Sequence, residues 1–395
     1  MTLTVIGVVG AGAMGAGIAQ VAATHGHSVL LADAQPVALA RACSGHAASM
    51  ARDVEKDRRT RDDADAVLAR ITYIESGDTA SFSAFAVCDF VIEAVVEHLS
   101  AKQALFRTLE TVVSPQAILA SNTSSLSIAA LGGACRHPER VVGVHFFNPA
   151  PLMPLVEIVP AISTAPDTAA AADRLARSWN KTTVFAKDTP GFLVNRIARP
   201  FYGESLRVLE EGVADVATID WALTTIGGFR MGPFALMDMI GNDVNFAVSC
   251  SVYENTFHDP RYRPSVTQQR MVEAGWLGRK SGRGYYRYDA AGQPLTPRED
   301  HLLGNQIVNR VLAMLVNEAV SAHDMGLASP ADIETAMTKG VNYPRGLLAW
   351  GDVIGAENIL RELERLQREY GDPRYRPSPR LRAVAHAPGG RLLND

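Results

Sequence analysis

The chain has 395 residues, 47% of them hydrophobic and 20% charged, a balance that predicts a soluble globular protein of two or three domains. A formal net charge of −4 gives no electrostatic case for nucleic acid or a membrane surface as partner, so an anionic ligand needs a local basic cluster. No run approaches the roughly 18 apolar residues of a membrane span. Cys43, Cys88, Cys135 and Cys250 lie far apart with no CxxC pair, which argues against a disulfide framework or a metal site and for reduced thiols in a cytosol.

The N-terminal MTLTVIGVVGAG lacks a basic n-region and its apolar run breaks at glycines, so it reads as a first strand and not as a signal peptide. Strands are expected at 5–9, 28–33, 89–94, 117–122, 140–147 and 155–159. Their continuous apolarity suits parallel strands buried on both faces. Helical patterns such as MGAGIAQVAATHG and LSAKQALFRTLETVV lie between them. This alternation predicts an α/β fold, a Rossmann-like doubly wound sheet over residues 1–186.

From KDTPGF (187–192) onward strand signals fade and amphipathic helices such as NRIARPFYGESLRVLEEG take over. This half repeats itself. VNR at 194–196 recurs at 308–310, an offset of 114, and at that offset Glu204 meets Glu318, Gly212 meets Gly326, Gly232 meets Gly346, Asp238 meets Asp352 and Gly241 meets Gly355. DPRYRPS at 259–265 returns at 372–378. A duplicated all-α domain is expected, with copies at 187–292 and 293–395 joined through the stretch 289–297.

VVGAGAMGAG places Gly10, Gly12 and Gly15 as GxGxxG, with Ala13 and Met14 inside it, between a strand and a helix. Gly10 makes the tight turn, Gly12 lets the backbone approach a pyrophosphate, and Gly15 lets the helix pack on the strand. The helix N-terminus supplies amides and positive dipole. Asp33, at the end of the second expected strand, would accept a ribose diol and repel a 2′-phosphate, so the cofactor is expected to be NAD rather than NADP.

Three polar clusters fall at expected strand ends, VVEHLSAK, SNTSSLS and HFFNP. Ser124 and Ser125 can equally be helix caps. In the helical excursion after strand two, Ser49, Arg52 and Lys56 share one face, with a solvated face among Asp53, Glu55 and Asp57 as the competing reading. HFFNPAPLMPLVEIV offers one histidine, His145, and one glutamate, Glu157, twelve residues on. They are either a partly exposed pair at a strand edge or a general base with its orienting carboxylate, brought together by a turn at Pro149, Pro151 and Pro154.

GAGAMGAGIAQVAATHGHSVLLAD, SNTSSLSI, HFFNPAPLMPLVEIV, KDTPGFLVNR, MGPFALMDMIG and GRKSGRGYY, in this order, resemble the L-3-hydroxyacyl-CoA dehydrogenase family over essentially the whole chain. The resemblance implies an NAD-dependent oxidoreductase acting on an acyl-CoA, with His145 as catalytic base and Glu157 as its partner. It implies substrate contact for Ser124 and Asn195, and cofactor contact for Asp33, Glu97, Lys102, Asn148 and Lys280. Ser49 and Lys56 match the positions that hold the CoA moiety. It also implies pairing of the helical domains, either between subunits of a homodimer or, through the second copy, within one chain. Two departures stand out: Pro154 occupies a position where relatives commonly have lysine, and the connector between the copies is short.

The pattern is most similar to bacterial enzymes of 3-hydroxybutyryl-CoA or 3-hydroxyadipyl-CoA oxidation, the latter a step of phenylacetate breakdown. Two alternatives stay in view. A β-hydroxyacid dehydrogenase of the phosphogluconate type shares the glycine-rich start but uses a catalytic lysine on free acids. A non-enzymatic NAD(H)-binding protein would be expected to lack an intact set of Ser124, His145, Glu157 and Asn195.

Overall fold

The computed structural model describes residues 5–76, 80–288 and 295–393; the connector at 289–297 lies in part outside them. The chain divides into two compact units, Met1–Asp188 and Thr189–Asp395.

The first unit is an eight-stranded sheet. In chain order it comprises β1 (Val5–Val9), α1 (Ala13–Thr24), β2 (Ser28–Asp33), α2 (Pro36–Glu55), α3 (Arg61–Ala69), β3 (Ile71–Glu75), β4 (Phe90–Glu93), α4 (Leu99–Val112), β5 (Ile118–Ser121), α5 (Ile128–Gly132), β6 (Val141–Phe146), β7 (Leu155–Pro160), α6 (Pro166–Ser178) and β8 (Thr182–Phe185). The strand order is β3-β2-β1-β4-β5-β6-β7-β8, so the order reverses between β1 and β4 and opens a crevice at their carboxyl ends. Every residue of β4, β5 and β6 is buried, as expected where both sheet faces are covered.

Two features correct the expected pattern. β7 runs antiparallel to β6, because the eight residues 147–154 between them are too few for a parallel crossover, which needs a dozen or more. β3 and β8 were not expected. Both are edge strands, ITYIE and TTVF, and the threonines, tyrosine and glutamate in them break the apolar run that marks inner strands.

The second unit is helical: α7 (Val194–Ile197), α8 (Arg199–Glu210), α9 (Val216–Trp221), α10 (Pro233–Ile240), α11 (Asn242–Asn255), α12 (Val266–Glu273), α13 (His301–Asp324), α14 (Pro330–Gly340), α15 (Leu347–Ile354), α16 (Ala356–Tyr370) and α17 (Pro379–His386). The long α13 is buried on most sides, as expected of a helix at the centre of a helical core. Its counterpart in the first copy is split into α7 and α8, with Pro200 near the start of the second piece.

The repeated residues pair across the copies. Arg196 Nε donates to Glu318 Oε1 at 3.0 Å and Arg310 Nε donates to Glu204 Oε1 at 2.6 Å. Tyr262 of the first DPRYRPS bonds Glu318, and Tyr375 of the second donates to Glu204 at 2.7 Å. Each copy thus lends its arginine to the other's buried glutamate, a reciprocity of the kind found at two-fold interfaces.

Candidate active site

The carboxyl ends of the strands carry the site. Gly10 follows β1 at φ +104°, and a Cβ there would lie 2.4 Å from the Ala94 carbonyl oxygen, so only glycine makes this turn. A Cβ on Gly15 would lie 1.7 Å from the Gly10 oxygen, and this close approach seats α1 on the turn. Gly12 is the N-cap of α1, where no side chain caps the helix. Its own Cβ would meet nothing within 4 Å. Gly12 and Ala13 are exposed and Met14 half-buried, so the first-turn amides face an open cradle suited to a pyrophosphate.

Asp33, ending β2, accepts the Ala11 amide at 2.6 Å on Oδ2 and the Gln35 amide at 2.8 Å on Oδ1. Its carboxylate is thereby fixed beside the glycine turn, where a ribose diol is expected. A cradle that a Cβ would fill and a fixed carboxylate together fit NAD.

One cavity of about 950 Å³ opens beside the cradle. Gly12 and Ala13 line it, as do Ser49, Arg52 and Lys56, so the helix face at the end of α2 looks into a cavity. Motif reading missed Arg41, Arg58 and Arg59, which line the same space. Arg58 and Arg59 sit in the turn after α2, where no helical periodicity could align them with Lys56. Lys181 also lines the cavity, and its ammonium donates to the carbonyls of Ala150 (2.6 Å) and Met153 (2.8 Å). It therefore pins the turn between β6 and β7. Burial lowers its pKa.

His145 and Glu157 are opposite residues in the β6–β7 ladder. His145 Nδ1 donates to Glu157 Oε2 at 2.6 Å, and the residues are 5% and 0% exposed. The reading of an exposed pair at a strand edge therefore fails: a carboxylate buried this fully has to be satisfied, and the imidazole satisfies it. Asn148 lies on the exposed turn just beyond.

The clusters after β4 and β5 meet. Glu97 Oε1 accepts the Thr123 hydroxyl (2.6 Å), the Ser124 amide (3.1 Å) and the Ser125 hydroxyl (2.9 Å). Burial disfavours its ionisation, but the Lys102 ammonium and these hydroxyls outweigh it and hold the carboxyl below its ordinary value. Lys102 is buried, with Nζ 2.5 Å from Glu93 Oε1 and 3.1 Å from Glu97 Oε2. It touches the site through Glu97. Asn122 Oδ1 accepts the Phe146 amide at 2.8 Å and ties this turn to the strand of His145. Glu93 carries no motif, and its one signal in the sequence is an acid closing an apolar strand.

Asn195 and Lys280 belong to the second unit. Asn195 is half-buried on α7. Lys280 is exposed and ion-paired to Asp243 at 2.6 Å.

A doubly wound sheet with a dinucleotide cradle, and an imidazole–carboxylate pair at the end of a neighbouring strand, defines an NAD-dependent dehydrogenase. The comparisons with known proteins narrow this. The model of the 3-hydroxyacyl-CoA dehydrogenase NAD-binding domain matches residues 5–189, and that of the C-terminal domain matches 191–288 and again 306–391. The chain belongs to the 3-hydroxyacyl-CoA dehydrogenase family.

It is 38% identical to the 3-hydroxyadipyl-CoA dehydrogenase of Escherichia coli (strain K12), over 96% of this chain and 97% of that protein. It is 39% identical to a probable 3-hydroxybutyryl-CoA dehydrogenase of Bacillus subtilis (strain 168), over 73% of this chain and 99% of that one. Among solved structures, a 3-hydroxybutyryl-CoA dehydrogenase from Escherichia coli K12 superposes with a TM-score of 0.91 at 38% identity, covering 98% of each chain. Among the described residues no helix is long and apolar enough to cross a membrane.

Proposed function

We propose that the protein oxidises the 3-hydroxyl of a short-chain acyl-CoA to the ketone, with His145 as general base. The observation that carries this reading is the buried His145–Glu157 pair at the carboxyl end of β6. Oxidising a secondary alcohol removes a proton from oxygen and a hydride from carbon. NAD held at the glycine cradle and Asp33 would supply the hydride acceptor. Histidine suits the proton transfer because its ordinary pKa lies near working pH. Glu157 engages Nδ1, which fixes the tautomer, assigns the transfer to Nε2 and stabilises the imidazolium that forms. The Ser124 hydroxyl and Asn195 are assigned to the oxygens of the substrate, where charge changes during the reaction.

Asp33, Glu97, Asn148 and Lys280 are assigned to the cofactor, with Lys102 acting through Glu97. Ser49 and Lys56 are assigned to the CoA moiety, supported by the cationic cavity they line. The duplicated helical domain is proposed to supply within one chain the pairing that the resemblance implies between subunits of single-copy relatives. A monomer in sedimentation equilibrium is expected, and a dimer would mean that pairing uses another face.

The names of the relatives divide between 3-hydroxybutyryl-CoA and 3-hydroxyadipyl-CoA. The test is NAD reduction with a series of 3-hydroxyacyl-CoA thioesters varied in length and terminal carboxylate, beside the free 3-hydroxy acids. Turnover of the thioesters and none of the free acids is expected; comparable rates with the acids would overturn the reading in favour of a β-hydroxyacid dehydrogenase. A kcat/KM favouring 3-hydroxyadipyl-CoA would place the protein in phenylacetate breakdown.

A further inference from the structure

We propose that Glu93 is a positioning residue for the reaction, the anchor of the turn that carries Ser124. The proposal rests on the reading of Ser124 as a substrate-contacting hydroxyl. Glu93 closes β4 and is fully buried. A carboxylate in such a place is costly unless its oxygens are filled, and both are. Oε1 accepts the Lys102 ammonium at 2.5 Å and the Val95 amide at 2.7 Å, and Oε2 accepts the Ser121 hydroxyl at 2.5 Å.

These bonds make a clamp. Ser121 ends β5, and its hydroxyl in turn accepts the Thr123 amide at 3.2 Å, so Glu93 holds the turn at its root. Glu97 holds the same turn at its crown, through Thr123, the Ser124 amide and Ser125. Lys102 sits between the two carboxylates and bonds both. Asn122, inside the turn, donates its amide to the Glu93 carbonyl at 2.8 Å and accepts the Phe146 amide, one residue from His145. A shift at Glu93 therefore moves Ser124 relative to the base, and a misplacement of about 1 Å can cost up to about 10²-fold in rate.

The test is a double-mutant cycle. Turnover of 3-hydroxybutyryl-CoA and thermal unfolding are measured for E93Q, S124A and E93Q/S124A. E93Q keeps the side-chain size but removes the charge that Lys102 and Ser121 share. It is expected to lower kcat about tenfold or more with little change in KM for the thioester. The double variant is expected to be no slower than S124A, because Glu93 acts through the turn that carries Ser124.

Effects that multiply in the double variant mark Glu93 as general structure and overturn the proposal. So does wild-type turnover of E93Q beside a slow S124A. Wild-type turnover of S124A overturns the reading of Ser124 and, with it, the route assigned to Glu93. If E93Q does not fold, S121A replaces it in the same cycle. That variant leaves both buried charges in place and removes only the two hydrogen bonds at the root, to Glu93 and from the Thr123 amide, and the same outcomes decide.

Discussion

A carboxylate 2.6 Å from one imidazole nitrogen holds the His145 ring in one orientation, as the proposed role of base requires. His145→Gln is expected to lower kcat by about 10²–10⁴-fold, the usual contribution of a positioned base, with wild-type NADH affinity in a fluorescence titration. Glu157→Gln is expected to lower kcat by on the order of 10² or more with the fold kept, because the tautomer and the imidazolium lose their partner; circular dichroism and steady-state rates check both halves. Glu97 is held below the ordinary carboxylate value of 4.5. Its contribution to stability is therefore full above that pH and disappears as pH falls below it, through the depressed value. Glu97→Gln is expected to unfold at lower temperature than the wild type at neutral pH, with the gap closing on acidification. A gap that stays constant in thermal melts from about pH 6 to pH 3 would contradict this. Of these residues, His145 and Glu157 were visible in the sequence because an apolar, proline-broken segment has few polar positions. The resemblance put Lys102 at the cofactor, but Lys102 and Glu93 pair inside the fold, and that pairing appears only once β4, α4 and β5 meet.

The end of α2 and the turn after it form a basic wall, of which Ser49, Arg52 and Lys56 were legible as one helical face. Only the cavity separates a binding face from a solvated one, because both have the same periodicity. Lys56→Ala is expected to raise KM for acyl-CoA about tenfold, the loss of one charge-assisted contact, with kcat unchanged. A change in kcat with KM constant would remove Lys56 from binding. The inner strands were legible for the same reason that they are buried. β3 and β8 were not, since an edge strand has one partner fewer and tolerates polar residues. The direction of β7 followed from connection length, a constraint that strand apolarity does not carry.

The second unit is held by its own symmetry. Glu318 is buried and bonds Arg196, Arg261 and Tyr262; Arg261 also pairs with Asp259, so Glu318→Gln takes the carboxylate partner from the buried Arg196 and is expected to cost about 3–5 kcal/mol in urea unfolding. Glu362→Gln, at the half-exposed Arg365, is expected to change stability by less than about 1 kcal/mol. Equal effects of the two would deny Glu318 its place between the copies. The sequence by itself determined the class of fold, the glycine turn, the repeat and the residue types proposed as base and partner, because these rest on local backbone needs and on short spacings along the chain. Tertiary structure alone decided which glutamate each repeated arginine meets, which cations share a cavity, and that a silent acid at the end of β4 holds the serine turn. Those contacts join residues far apart in the chain, and their energies depend on burial, which no stretch of sequence states.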